Sequence, residues 1–388
     1  YLHISYTGNS LVDNTPIPPS VVLSELLDSL EKFYQGEDSS LREQILIKHP
    51  LHPFSRFYFQ DDPELFTYSR ENFLGADKPG QPLSVFAREQ IPGEELQELD
   101  IHELTRFLKD PVLYFCRNRL KISLYTPEEE IQDHEPLEDI SNLEQYQVKQ
   151  TLLDLEQKGR LHKGKDVLLA EGRIPPGAFG DIVYAESAGE ADRIWNSVLG
   201  IFGEAPEFHS QSLEMDLEGM LLTGQINTIT EQGLLAFRPG RIKGKDLLRI
   251  WTELLFVCSA GKTEWMEPAA ILVDSEQTIR IKKPDDPCRH LQTLLSIMQQ
   301  GTVTPIPFFA SAAKEYAREL ISREKDRQQA LKKAESKWRG HLYQEGIKDD
   351  AYVKLCFGRD LPEIPYRERF EQLAREIFEP IMQRTEVR

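Results

Sequence analysis

Met220-Leu221-Leu222-Thr223-Gly224-Gln225-Ile226-Asn227, followed beyond the Gln232-Gly233 turn by Leu234-Leu235-Ala236-Phe237-Arg238, decides how the rest of the chain is read. Met215 and Leu217 precede it, so three short apolar runs follow one another with short connections, which predicts a three-strand meander over residues 213–239. Downstream, residues 247–258 form an apolar helical stretch, 269–273 a short buried strand and 278–281 its hairpin partner. Upstream, the Pro175-Pro176 break is followed by a helical pattern over 177–195. The order helix, three strands, helix, strand predicts a mixed α/β core with helices on the sheet faces.

Further out the signals are more local. Residues 2–6 alternate as a strand would, and Thr7-Gly8-Asn9 ends it. Ser20 stands as N-cap to a helix over 21–33. Residues 35–93 hold many prolines and a dense aromatic patch with little periodicity, an irregular arm. Ile101, Leu104, Phe107 and Leu108 recur at helical spacing until Asp110-Pro111, and Val112, Phe115, Cys116 and Leu120 resume it. Residues 128–144 are acidic and read as an exposed crossing, and 144–161 as another helix. Residues 311–339 read as one long charged helix, and 367–382 as a last one with Phe370, Leu373, Ile377 and Phe378 on one face. The expected organisation is an arm with a strand–helix start over 1–99 and a main domain over 100–388.

The chain has 388 residues, 40% hydrophobic and 28% charged, enough apolar matter for a large core and too much for general disorder. A net charge of −18 argues against a protein that coats phosphate indiscriminately, because such affinity comes from Lys and Arg displacing counterions. It leaves room for a local basic surface. The four cysteines Cys116, Cys258, Cys288 and Cys356 form no C-x-x-C, so reduced thiols in a cytoplasmic protein are expected, without a zinc ribbon. No apolar run approaches the ~18 residues that span a bilayer, and no signal peptide is legible. An opening in mid-strand without Met suggests a piece of a longer protein.

Several constellations carry less than they first suggest. Gly261-Lys262-Thr263 has the end of a phosphate-binding loop, but Phe256 stands where the other glycine is needed, and a helix precedes it in place of a strand. His49 and His52 are flanked by Pro50 and Pro53, which deny them a helical face, and no third ligand is near in sequence. Glu128, Glu129, Glu130, Asp133 and His134 read as a solvated acidic loop. The patch Phe54-Ser55-Arg56-Phe57-Tyr58-Phe59, with Phe66, Tyr68 and Arg70, has two readings. Bases stack on such aromatics while guanidinium groups hold the backbone, or the rings simply cluster to stabilise the arm. The residues alone favour the second. The basic helix over 311–339 is read as solvated, because Glu315, Glu319, Glu324 and Glu335 supply partners one helical turn away.

Read together, Tyr1-Leu2-His3-Ile4-Ser5-Tyr6-Thr7-Gly8, Asp110-Pro111-Val112, Pro175-Pro176-Gly177-Ala178-Phe179-Gly180 and Trp251 with Cys258-Ser259-Ala260-Gly261 resemble the C-terminal region of the RecC family. Residues 330–338 and 346–352 extend the likeness, which spans most of the chain. RecC-type proteins are the gamma subunits of bacterial RecBCD helicase–nucleases (exodeoxyribonuclease V). The resemblance implies a restriction-endonuclease-like, PD-(D/E)xK core with added helices. It also implies RecB and RecD as partners, double-stranded DNA ends and separated single strands as ligands, and no membrane. Mg and ATP would be used by the partner subunits, with no cofactor in this domain.

Active nucleases of that fold hold a divalent ion on carboxylates and position water with a lysine. The resemblance places Asp181 at their His position, Asn227 at the Asp of Gly-x-Ile-Asp, and Ala236 and Arg238 at the ends of Asp-Tyr-Lys. Asn227 and Ala236 lack the charge that binds metal, and Arg238 stays protonated. Glu214 and Glu253 remain without forming an expected pair. The implied function is a non-catalytic domain that scaffolds the complex in double-strand-break repair, helps split duplex and guides strands. Its candidate DNA contacts are Phe54, Arg56, Phe57, Tyr58 and Arg70, with the strand-splitting pin sought between residues 35 and 95. The alternative is an active metal-dependent exonuclease of the same class.

Overall fold

Gly233 closes the turn between the second and third strands of the meander at φ 129°, where an added Cβ would lie 2.2 Å from the Ala269 carbonyl oxygen. Only glycine accepts both conditions. From this hairpin the computed structural model builds outward; it describes residues 2–10, 15–34, 41–60, 62, 64–77, 90–93, 97–124, 141–261, 269–322, 326–341, 344–359 and 361–387. The chain divides into two units, Tyr1–Ser84 and Val85–Arg388.

The first unit holds α1 (Val21–Phe33), α2 (Leu41–Ile45) and α3 (Arg70–Asp77). Ser20 caps α1 by accepting from the Leu23 amide, as its sequence predicts. Arg42 of α2 bonds Asp28 of α1 at 2.5 Å. Among its described residues Leu27 is the sole buried apolar side chain. The strand expected over residues 2–6 does not form; Asn9 and Pro16 make one isolated bridge, and Leu2 is 80% exposed. Alternation alone makes no strand where no neighbour pairs with it.

The second unit runs through β1 (Glu98–Asp100), α4 (Ile101–Lys109), α5 (Pro111–Tyr114) and a π-turn over Phe115–Arg119 to α6 (Asn142–Gln157), α7 (Gly164–Ala170) and α8 (Ala178–Phe202). Asp100 caps α4 and Asp110 caps α5, which explains the break between them. The meander follows as β2 (His209–Leu217), β3 (Met220–Thr230) and β4 (Gly233–Phe237), then α9 (Gly244–Ala260), β5 (Ala269–Val273) and β6 (Thr278–Lys282). The rest is α10 (Pro287–Val303), α11 (Ala310–Ser322), α12 (Arg327–Arg339), the two-residue strands β7 (Gly340–His341) and β8 (Gln344–Glu345), α13 (Ala351–Phe357), α14 (Arg367–Gln383) and β9 (Thr385–Val387).

Seven strands form one mixed sheet in the order β1-β3-β4-β5-β6-β9, with β2 on the other edge of β3. β4 and β5 run parallel and alternate between two cores. Leu234, Ala236, Ala270 and Leu272 face the larger one, built by α4, α9, α10, α11 and α14. Leu235, Ile271 and Val273 face the smaller one under α6 and α8, where Phe237 also packs. Strands covered on both faces are apolar throughout, hence the unbroken run at 269–273.

The single long helix expected over 311–339 is two helices packed on each other. Asp326 caps the second by accepting from the Gln328 and Gln329 amides. Ala313 and Ala317 on α11, and Ala330 and Ala334 on α12, are fully buried, the small faces that let two helices approach. Glu371 of α14 joins the layer: it accepts from Tyr316 at 2.9 Å and takes Arg327 on both oxygens at 2.7 and 3.0 Å. Of the acidic crossing expected over 128–144, residues 128–140 lie outside the described residues and 141–144 open α6 with Ser141 as its cap; the segment 262–268 with Lys262 also lies outside them.

His290 of α10 meets the buried Trp251 of α9 edge-on at 5.7 Å. Burial, then the nearby Arg384, hold its pKa below the usual histidine value. Between that lowered value and the ordinary one the unfolded chain takes up a proton that the folded chain refuses. Stability is therefore expected to fall as pH drops through this window. Urea midpoints at about pH 7.5 and about pH 5.5, compared between the native chain and His290→Gln, check it; an equal acid shift in both would count against His290.

Candidate functional site

β3 carries the candidate site, and its partners decide what the site is. On one edge it pairs with β2, where His209↔Ile229 and Gln211↔Ile226 leave one extra residue on β3. This β-bulge sets Asn227 and Thr228 together against Ser210. On the other edge β1 pairs in parallel with Leu221 to Thr223, while β4 pairs only with Ile229 and Thr230. Between them His102 of α4 hydrogen-bonds the Gln225 carbonyl oxygen at 2.9 Å through Nε2.

The bulge sends neighbouring side chains apart. Asn227 is exposed, and its Oδ1 accepts from the Ser210 hydroxyl at 2.6 Å, which in turn accepts from Gln225 Nε2. Thr228 turns towards α9 and donates to Glu253 at 2.8 Å. Glu253 is 3% exposed and also takes Arg249 at 3.4 Å. Ala236 lies in the α9-side core, 8% exposed, away from Asn227. Glu214 is exposed on β2, on the face opposite the buried Leu213 and Leu217.

Arg238 leaves the end of β4 and donates to Asp246 of α9 at 2.5 Å, its guanidinium 5.2 Å from the centre of the Tyr146 ring. Asp246 also accepts from the Lys243 amide at 2.7 Å, so this carboxylate closes the helix start. Beside it Glu190 of α8 takes Lys149 at 2.7 Å and the Gly240 amide at 2.9 Å. Burial pushes the Glu190 pKa up, but these two bonds outweigh it and hold the carboxyl below its ordinary value. Asp181 lies in the first turn of α8, paired with Lys165 at 2.7 Å. Among the described residues no hydrogen bond or ion pair joins any two of Asp181, Asn227, Ala236 and Arg238.

The donor set does not fit a divalent ion. Glu253 and Asp246 are each spent on a cation, and Glu214 lies on another face. No group of three His, Cys, Asp or Glu side chains that could hold a metal occurs among the described residues. Two cysteines do meet: Cys116 and Cys356, both buried, bring their sulfurs to 3.4 Å. Their spacing of 240 positions left no local signal.

In the first unit, Tyr58 and Arg70 line one shallow cleft of about 380 Å³ with Tyr68 and Phe73. Phe54 stacks on His52 with centroids 5.0 Å apart, and His49 Nδ1 lies 3.1 Å from the Tyr58 hydroxyl. Phe57 is 60% exposed, and Arg56 bonds the Ala76 carbonyl at 3.3 Å. Both sequence readings of the patch therefore keep some of its rings: Phe59 meets Phe73 in a local cluster, while Phe57 and Tyr68 stand in solvent. No helix among the described residues is long and apolar enough to cross a membrane.

Fold and site together define a mixed α/β domain whose polar groups at the β3–β4 junction bind one another. Residues 96–321 match the family model described as the RecC C-terminal domain, and the chain belongs to that family. It is 26% identical over 384 residues to the RecBCD enzyme subunit RecC of Escherichia coli strain K12, covering 93% of this chain and 33% of that protein. The protein of the same name from Mycolicibacterium smegmatis is 26% identical over 323 residues, 79% of this chain and 29% of that one. That from Haemophilus influenzae is 27% identical over 272 residues, 66% and 23%. The chain thus spans about a third or less of the length of these relatives.

Proposed function

We propose that this chain is a non-catalytic, nuclease-like domain of a RecC-type subunit, one that scaffolds a complex with RecB and RecD partners. In this reading the complex works in the cytoplasm on double-stranded DNA ends during break repair, and the domain helps split the duplex and guide the separated strands. Mg and ATP serve the partner subunits. The core is taken as restriction-endonuclease-like, with residues 1–99 as an arm and 100–388 as the nuclease-like part. The order α8, β2, β3, β4, α9, β5, with β4 and β5 parallel, supports that assignment.

One observation carries the loss of catalysis. Where a metal-dependent nuclease needs converging carboxylates, Asn227 faces away, Ala236 fills core, and Glu253 and Asp246 are neutralised by Arg249 and Arg238. Strand splitting rests on two separate features of the arm, the exposed Phe57 and the cleft lined by Tyr58, Tyr68 and Arg70, either of which offers a ring to stack on the last base pair.

The test is calorimetric titration of Mg²⁺ and Mn²⁺ into the chain, then an assay on forked DNA in the same buffer. The expected outcome is no tight ion binding and no cleavage. A micromolar ion site accompanied by cleavage would overturn this reading in favour of an active metal-dependent exonuclease.

A further inference from the structure

The whole sequence contains two eight-residue windows with four Lys or Arg and no acidic residue: Lys158-Gly159-Arg160-Leu161-His162-Lys163-Gly164-Lys165 and Arg238-Pro239-Gly240-Arg241-Ile242-Lys243-Gly244-Lys245. Each carries +4 in a chain of net charge −18. They also share Gly-Arg, an apolar residue and Lys-Gly-Lys-Asp in that order, with His162 inserted in the first, and each leads directly into a helix, α7 or α9.

The fold seats both on α8. The first is held by the Tyr184 hydroxyl, which donates to the Leu161 carbonyl at 3.1 Å, and by Lys165 on Asp181. The second is held by the Gly240 amide, which donates to Glu190 at 2.9 Å. Tyr184 and Glu190 are six residues apart, about 9 Å along a helix axis.

The eight cations divide by role. Lys165, Arg238, Arg241 and Lys245 pair with Asp181, Asp246, Glu276 and Asp110 and so shape the loops. Lys158, Arg160, Lys163 and Lys243 are exposed and make no ion pair among the described residues. Unpaired cations on an acidic body concentrate attraction for a polyanion at one place.

We propose that these two loops form a track for the phosphodiester backbone of a nucleic-acid strand. The inference rests on the strand-guiding reading above and gives that reading an interface outside the aromatic arm. A phosphate backbone is gripped by charge without any pocket for a side chain. These loops offer cations and glycine backbone.

The test is fluorescence anisotropy of a labelled thirty-nucleotide oligo-dT with the full chain over a range of KCl, with circular dichroism confirming the fold of each variant. The triple variant Lys158→Ala, Arg160→Ala, Lys163→Ala is expected to weaken binding at least tenfold at low salt. It should also flatten the plot of log affinity against log salt by about 2, three contacts at ~0.7 each. Replacing the exposed Lys332, Lys333 and Lys337 of α12 with Ala is expected to change neither. Binding by the native chain that survives the first variant overturns the track and leaves strand guiding in place. No binding by the native chain overturns both. Competition by poly-glutamate as effective as that by oligo-dT of equal charge would make the partner an acidic protein and overturn the track.

Discussion

Replacing Ala236 with Asp is expected to destabilise the domain by about 3 kcal/mol at neutral pH and to create no divalent-ion site. The methyl group sits at 8% exposure in the core shared with α9. A carboxylate there has no cation reserved for it, since Arg238 is held by Asp246 and Arg249 by Glu253. Burial would raise its pKa, so the folded state would bind the proton more tightly than the unfolded one. The variant should then lie closest to the native chain in acid and lose ground as pH rises through the ordinary aspartate range. Urea unfolding across pH, with Mn²⁺ titration at the neutral end, reads both parts. A stable variant that binds Mn²⁺ would mean that the junction keeps a competent metal cradle.

Trp338→Ala is expected to cost about 3–5 kcal/mol, the usual range for a large aromatic removed from a packed core. Trp338 is fully buried near the end of α12, its ring 5.0 Å from Phe309, and its indole N–H donates to the Leu361 carbonyl at 3.2 Å. Phe309 in turn meets Phe357 of α13 and Phe370 of α14, so the cavity would open where three helices converge. Trp338→Phe keeps most of the volume and abandons one carbonyl, at a cost of about 1–2 kcal/mol. Chemical denaturation followed by circular dichroism separates the two. Equal midpoints for native and Ala variants would remove the indole from the core's support.

What the sequence disclosed was whatever is decided within a few residues. Ser20 announces its helix because a cap bonds amides two or three positions away, and Asp110-Pro111 marks the break that the Asp110 cap makes. β4 and the 269–273 strand were legible because burial on both faces leaves unbroken apolar runs. β1 and β9 were not, being three residues each and made strands only by distant partners, β3 and β6. The helix over 311–339 was read through its break because charge periodicity continues across it; the alanines that mark two packed faces look neutral in sequence. The candidate site was legible in composition and not in direction. Counting along Gly224-Gln225-Ile226-Asn227 identifies a residue type, while its facing depends on pairing with β2. Asp181 was placed by the resemblance, whereas the α8 carboxylate beside the end of β4 is Glu190, whose partners Lys149 and Gly240 come from other elements.

The bulge at Asn227 and Thr228 has a consequence for substitution. A point substitution exchanges one side chain for another, but a bulge is a difference in residue number between paired strands. Changing the Asn227 codon to one for Asp would put a charge on the open face beside Ser210, not on the face of Glu253. Turning Asn227 itself inward takes a change of residue number within β3, whereas the neighbouring Thr228 already faces Glu253. At this bulge the direction of a side chain is thus set by the number of residues between two paired strands, which exchanging one side chain for another leaves unchanged.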